Sequence, residues 1–181
     1  MLALANEKTI KKTLIDAPTI HKRLVELASE LTNEYQNVDL LTIAAVMNGS
    51  FIFLADLVRL LSLPTEILYI GAKSYGEETV SSGHVQVMEL SNFVERVPGR
   101  HVLILDDIID SGRTLKKIYR HISALQPQSL KICTLLNKPS RRVANIEADF
   151  CGFAIEDHFV VGYGLDFNGL WRNLPYIAIL Q

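Results

Sequence analysis

At 181 residues, 49% hydrophobic, 21% charged and with a net charge of −2, the chain reads as one ordinary globular domain over 1–181, able to bury about 70% of its unfolded surface. The near-neutral balance offers no basic face for nucleic acid. The longest uncharged run, Leu40 to Ala55, is broken by Asn48-Gly49-Ser50 and is too short for a membrane span.

Two cysteines, Cys133 and Cys151, lie in strand-like runs and read as buried thiols, with nothing to imply an oxidising compartment. No basic region followed by an apolar segment opens the sequence, so no signal peptide is read and a cytoplasmic protein is expected.

Residues 1–15 are mixed and show no clear periodicity. Pro18 opens a helix whose Ile20, Leu24, Leu27 and Leu31 form one apolar stripe, running to about Gln36. Leu41 to Met47 reads as a buried strand, Asn48-Gly49-Ser50 as a tight turn, and Phe51 to Leu61 as a second helix ended near Pro64. A strand, a Gly turn and a helix start fit a plain βα connection or an anion site, and the turn alone leaves both open. Glu66 to Gly71 and His84 to Leu90 are strands joined by a long polar connection, Ala72 to Gly83, which fits a solvated loop or a lid.

Pro98-Gly99 then opens Val102 to Leu105, four apolar residues that read as a strand buried on both faces. Asp106, Asp107 and Asp110 follow, then Ser111-Gly112-Arg113-Thr114, and Leu115, Ile118, Tyr119 and Ile122 at helical spacing as far as about Leu125. The order is strand, acidic turn, helix N-terminus, which puts carboxylates at the carboxyl end of a central strand, where open α/β sheets place ligands. Asp110-Ser111-Gly112 by itself is ordinary turn and cap chemistry. The Asp106-Asp107 pair is not: adjacent like charges resist desolvation and need a cation or hydroxyl donors. A small-residue loop with free N–H groups beside such a pair fits a phosphorylated sugar.

Leu130 to Leu136 is the next strand, with Asn137-Lys138-Pro139 at its end. A Lys there is ordinarily a solvated surface residue, and Arg141 and Arg142 are expected to face solvent on a short helical turn. Asp149 to Ile155 reads as a strand and Tyr176 to Leu180 as another. Between them 157–172 is dense in aromatics and turn residues, with Tyr163, Phe167 and Trp171 read as core and loop. None of the five histidines has a partner at ligand spacing, so none is read as a metal ligand or catalytic base.

The run Val102 to Leu115 resembles the phosphoribosyl diphosphate (PRPP) motif of the type I phosphoribosyltransferases. Its Asp107-Ile108-Ile109-Asp110-Ser111-Gly112 core is most similar to the hypoxanthine-guanine branch, which more often has Glu at the place of Asp106. The segment Asp157 to Arg172 resembles a second motif of the purine members, and the likeness runs from about residue 40 to the end. It implies an α/β fold with a central, mainly parallel twisted sheet flanked by helices. A mobile flap at about 72–84 is implied, with a hood formed by about 150–181 and the N-terminal segment.

The implied reaction moves 5-phosphoribosyl from PRPP to N9 of a 6-oxopurine, hypoxanthine or guanine, giving IMP or GMP and pyrophosphate with Mg2+ as cofactor. Small-molecule substrates and a homo-oligomer, dimer or tetramer, are implied, with neither nucleic acid nor membrane as partner. Ser111 and Thr114 hydroxyls, with backbone N–H groups through Gly112 and Arg113, can anchor the 5′-phosphate, in a motif that includes Ile108 and Ile109. Asp106 and Asp107 can hold the ribose hydroxyls, and Asp110 is the candidate base for the purine N7 proton.

By resemblance, Asn48 (where the family frequently has Lys), Gly49, Lys73, Ser74, Tyr75 and Arg172 serve the pyrophosphate and the flap. Lys138 bonds the 6-oxo group, Phe159 stacks on the base, Val160 reads its edge through the backbone, and Asp166 lies near base and metal. Asp106, Asp107 and Asp166 are the candidate metal ligands.

Three rival readings compete with this one. A PRPP-sensing regulator that binds nucleic acid is disfavoured by charge and length. A xanthine or pyrimidine phosphoribosyltransferase is disfavoured by Lys138 and Phe159-Val160. A phosphatase or phosphoacceptor domain is disfavoured by the Ser-Gly-x-Thr loop directly after the acids.

Overall fold

The computed structural model describes residues 9–74 and 85–181. After strand β1 (Ile10–Ile15), Asp16 accepts a hydrogen bond from Thr19 N at 2.9 Å and Pro18 occupies the first turn, so helix α1 (Ala17–Glu34) begins there. Ile20, Leu24, Leu27 and Leu31 are its buried stripe. Strand β2 (Leu41–Met47), helix α2 (Phe51–Val58) and strands β3 (Thr65–Ser74) and β4 (Val85–Glu89) follow. A short helix α3 (Phe93–Arg96) leads to β5 (His101–Ile109), α4 (Arg113–Ser123) and β6 (Ser129–Asn137). A 3-10 turn (Pro139–Arg141), β7 (Phe150–Ala154), β8 (Val160–Val161) and β9 (Ile177–Leu180) complete the chain.

The main sheet has the order β4-β3-β2-β5-β6-β7, parallel except for β4 at its edge. Side chains alternate across it: Leu41, Ile43, Leu103 and Leu105 pack with α1 and α2, whereas Ala44, Val46, Val102 and Ile104 pack with α3 and α4. Both faces are thus covered, which is why these strands are continuously apolar. A second, antiparallel sheet of order β1-β9-β8 joins residues near the two ends of the chain.

Two sequence expectations change. Residues 10–15 form a strand despite their mixed composition, because β1 is an edge with half of its side chains exposed and two irregularities in its register to β9. Asp106 and Asp107 do not lie in a turn: β5 continues through them to Ile109, paired to β6 at Asp106↔Thr134, Ile108↔Leu136 and Ile109↔Asn137, and only Asp110 stands in the bend beyond. Its pairing to β2 stops at Ala45↔Leu105. The two central strands part at that point, and the gap between them is where the acids stand.

Most of the expected flap, 75–84, lies outside the described residues, and Tyr75 with it. Among the described residues no helix is long and apolar enough to cross a membrane.

Candidate active site

The parting of β2 and β5 makes a cleft of about 270 Å³ that runs from Met47 and Gly49 past Asp106 and Asp107 to Ser111 and Thr114, with Ile108, Ile109, Asp110 and Gly112 also in its wall. Asp106 is 6% exposed, and its Oδ1 accepts a hydrogen bond from Asp107 N at 3.0 Å. Burial pushes the Asp106 carboxyl well above the usual range, and the neighbouring charge of Asp107 adds to the rise. Asp107 is pushed up as well, again by burial, against an opposing pull from hydrogen bonds and from the Arg172 charge. Two acids with raised pKa values in a cleft mark a place that a cation or hydroxyl donors would stabilise.

The loop after them is clamped from behind. Gly112, at φ 77°, takes the left-handed conformation that lets the chain turn into α4 at Arg113. A Cβ on it would stand 2.9 Å from Ile146 and 3.1 Å from Arg142. The Ser111 carbonyl accepts from Val143 N at 3.1 Å and Ala144 N at 3.0 Å. Arg142 donates from Nη1 to the Asp110 carbonyl and from Nη2 to Asn137 Oδ1 at 2.5 Å. With its carbonyls held on one side, the loop can offer its N–H groups and the Ser111 and Thr114 hydroxyls to an anion on the other.

On the opposite wall the Met47–Asn48 peptide is cis, and Gly49 is wedged between the acids and the C-terminal segment. Arg172 donates from Nη1 to the Gly164 carbonyl at 2.6 Å and pairs through Nη2 with Asp166 at 2.7 Å. Asp166 also accepts from Gly169 N at 2.7 Å. Lys73 and Ser74 close β3, two and three positions beyond Gly71, the register partner of Met47. Asp106, Asp107 and Asp166 are not gathered into one metal cluster: among the described residues no three His, Cys, Asp or Glu side chains converge for one, and Asp166 is held by Arg172.

A second cavity of about 530 Å³ shares Asp107, Ile108 and Asp110 with the first and continues to Lys138, Phe159 and Asp166. Lys138 is 6% exposed, its N–H donates to the Ile109 carbonyl at 3.0 Å, and its Nζ lies 3.8 Å from Asp157. The solvated reading of a strand-end Lys therefore does not hold. Phe159 is exposed and meets Phe167 edge-on at 5.6 Å between centroids. Val160 is buried in β8, where its backbone pairs with Ile179.

Arg142, expected in solvent, is instead mostly buried, and Arg141, exposed as expected, makes ion pairs that the sequence reading missed. The 3-10 turn after Pro139 folds back over the end of β5, which brings the Arg142 side chain to 10% exposure under the loop. Arg141 reaches Asp110 Oδ1 with Nε at 3.0 Å and Asp157 with Nη1 at 3.3 Å. The available signal was the Lys-Pro-Ser-Arg-Arg run itself: two guanidinium groups one short turn after the strand next to an acid-bearing one.

Comparison with known proteins shows the family of the chain. A family model described as phosphoribosyl transferase domain matches residues 11–168. The hypoxanthine-guanine phosphoribosyltransferase of Bacillus subtilis is 46% identical over 173 residues, 95% of this chain and 94% of that one. The hypoxanthine phosphoribosyltransferase of Haemophilus influenzae is 42% identical over 167 residues, 91% of this chain and 92% of that one. A crystal structure of a hypoxanthine-guanine phosphoribosyltransferase from Bacillus anthracis superposes with a TM-score of 0.86 at 39% identity, covering 94% and 99% of the two chains. Hypoxanthine phosphoribosyl transferase from Trypanosoma cruzi gives a TM-score of 0.89 at 33% identity, covering 98% and 94%. A strand-end acid pair, a clamped anion loop and near full-length similarity point the same way: this chain belongs to the phosphoribosyltransferase family, in its hypoxanthine-guanine branch.

Proposed function

We propose that this phosphoribosyltransferase carries the 5-phosphoribosyl group of PRPP to N9 of a 6-oxopurine, hypoxanthine or guanine, and releases pyrophosphate. The observation that carries the reading is the junction of the two cavities at Asp107, Ile108 and Asp110. A sugar phosphate seated along the first would present its anomeric carbon to a base seated in the second. The family name leaves the acceptor open, and Lys138 and Phe159 in the second cavity support a purine with a 6-oxo group.

In the reaction the bond from the anomeric carbon to pyrophosphate oxygen breaks, the bond to N9 forms, and the purine gives up its proton. The 111–114 loop holds the 5′-phosphate through N–H groups and hydroxyls at the start of α4. Asp106 and Asp107 accept hydrogen bonds from the ribose hydroxyls, and their charge favours the oxocarbenium-like state at the anomeric carbon. Asp110 takes the purine N7 proton. The buried Lys138 ammonium donates to the 6-oxo group and rejects 6-aminopurines, which present donors there. Phe159 covers one face of the base. By resemblance, Gly49, the Asn48 backbone, Lys73 and Arg172 are assigned to the leaving pyrophosphate.

The acid pair fits a divalent cation, since both carboxyls are hard oxygen donors whose charged forms are disfavoured by burial. Bound there with substrate oxygens, Mg2+ would neutralise the departing pyrophosphate. We further propose that the enzyme works as a homo-oligomer in the cytoplasm.

Incubation with PRPP, Mg2+ and each base in turn tests the reading. IMP from hypoxanthine or GMP from guanine, with pyrophosphate in equal amount, is expected. Nucleotide from xanthine or a pyrimidine alone would replace the acceptor.

A further inference from the structure

Four charged side chains alternate in sign along the wall of the second cavity, in the order Asp110, Arg141, Asp157, Lys138. Arg141 stands in the middle. Its Nε is 3.0 Å from Asp110 Oδ1 and its Nη1 is 3.3 Å from Asp157 Oδ2, while Lys138 Nζ lies 3.8 Å from Asp157 Oδ1. The backbone closes the same circuit, because Arg141 N donates to the Lys138 carbonyl at 3.1 Å across the 3-10 turn.

The geometry points to Arg141 as a positioning residue for Asp110, a guanidinium fork that ties the proton acceptor to Asp157 and so to the anchor of the 6-oxo group. This rests on the proposed reaction, in which Asp110 and Lys138 act on two atoms of one purine.

Three physical considerations support it. The Asp110 side chain is 40% exposed, but its Oδ1 is buried without a hydrogen-bond partner, so the charge of Arg141 at 3.0 Å is what holds that oxygen in place. Proton transfer needs it at one place, since small misplacements of a catalytic group cost rate steeply. A planar guanidinium with donors on separate edges can face two carboxylates at once, which an ammonium does with less directional control. Arg142, its neighbour, holds the Asp110 carbonyl from the other side. The pair of arginines therefore grips both the backbone and the side chain of this one residue.

Arg141 is itself 51% exposed. Ion pairs that wet contribute little to folding stability. Its loss should be read in turnover and hardly at all in the unfolding transition.

The test is a double-mutant cycle on the full chain with PRPP, Mg2+ and the accepted purine. Arg141→Ala is expected to lower kcat about 10- to 100-fold, with the KM for PRPP nearly unchanged and the thermal midpoint close to that of the wild type. Arg141→Lys should recover part of the loss, because it keeps the charge but not the fork. In the Asp110→Asn background, removing Arg141 should have almost no further effect, since its target is gone.

Losses that multiply independently in the double variant, or a kcat that Arg141→Ala leaves intact, would overturn the inference. So would a lowered thermal midpoint with no rescue by Lys. A wild-type protein that forms no nucleotide would instead overturn the functional reading and this inference with it.

Discussion

Gly49 approaches Asp107 so closely that a Cβ on it would stand 2.0 Å from Asp107 Oδ2, while its own carbonyl oxygen lies 2.1 Å from where a Cβ on Gly164 would be. The turn after β2 is thereby fitted between the acid pair and the segment that carries Arg172. Two glycines make that fit possible, one for lack of a side chain, the other also for its φ of 100°.

Gly49→Ala must therefore move Asp107 or open the turn. Overpacking of this kind costs about 1–3 kcal/mol, and for a domain of this size each kcal/mol is worth roughly 2–4 °C in the thermal midpoint. We expect a lower midpoint together with a raised KM for PRPP, both read on the purified variant. A variant as stable and as tight as the wild type would show that the turn yields freely.

Asp110→Asn keeps the size of the side chain and the Arg142 bond to its carbonyl, and removes the carboxylate that accepts the proton and pairs with Arg141. Turnover should fall about 100-fold or more, the scale of an acid–base group, while PRPP still binds. Isothermal titration with PRPP and Mg2+ beside a kcat measurement separates the two effects. An undiminished kcat would take the proton-accepting role away from Asp110.

Lys138→Ala removes a buried ammonium from the purine side of the junction. Hydrogen bonds to charged groups are worth about 1.5–3 kcal/mol, so the KM for the base should rise about 10- to 100-fold with little change for PRPP. Equal losses for both substrates would instead mean that Lys138 supports the fold.

The acid pair gives a pH signature in metal-free buffer. Because burial raises both carboxyls above the ordinary value of 3.8, the folded protein binds more protons than the unfolded chain between that value and the raised one. Stability contributed by the protonated form is present at low pH and is lost as pH climbs through the window. Asp106→Asn should accordingly be more stable than the wild type at pH 7. The gap should close on acidification towards pH 4. Thermal melts of both proteins at several pH values decide it: a variant less stable than the wild type at neutral pH would show that the charged pair is already compensated.

Much of this was legible before folding. The strands β2, β5 and β6 announce themselves as apolar runs because both of their faces are covered, and α1 through a stripe recurring every three or four residues. The acids and the anion loop are neighbours in sequence, so their chemistry could be read from nine consecutive residues. Strand β1 was not legible, because an edge strand needs little apolar alternation and depends on β9 from the far end of the chain.

By itself the sequence determined the order of the apolar strands and longer helices, the identity of the acids and the small-residue loop, all set by contacts among near neighbours. Only the tertiary structure decided that Arg142 reaches back 32 positions to Asp110, that Arg141 joins Asp110 to Asp157, and that Gly49 fits between Asp107 and Gly164. Those relations follow from where β2 parts from β5 and where the turn after β6 folds over the gap. Which charges come to face one another across such a gap depends on the packing of distant segments; a local run such as Lys-Pro-Ser-Arg-Arg supplies the guanidinium groups but does not say which acids they meet.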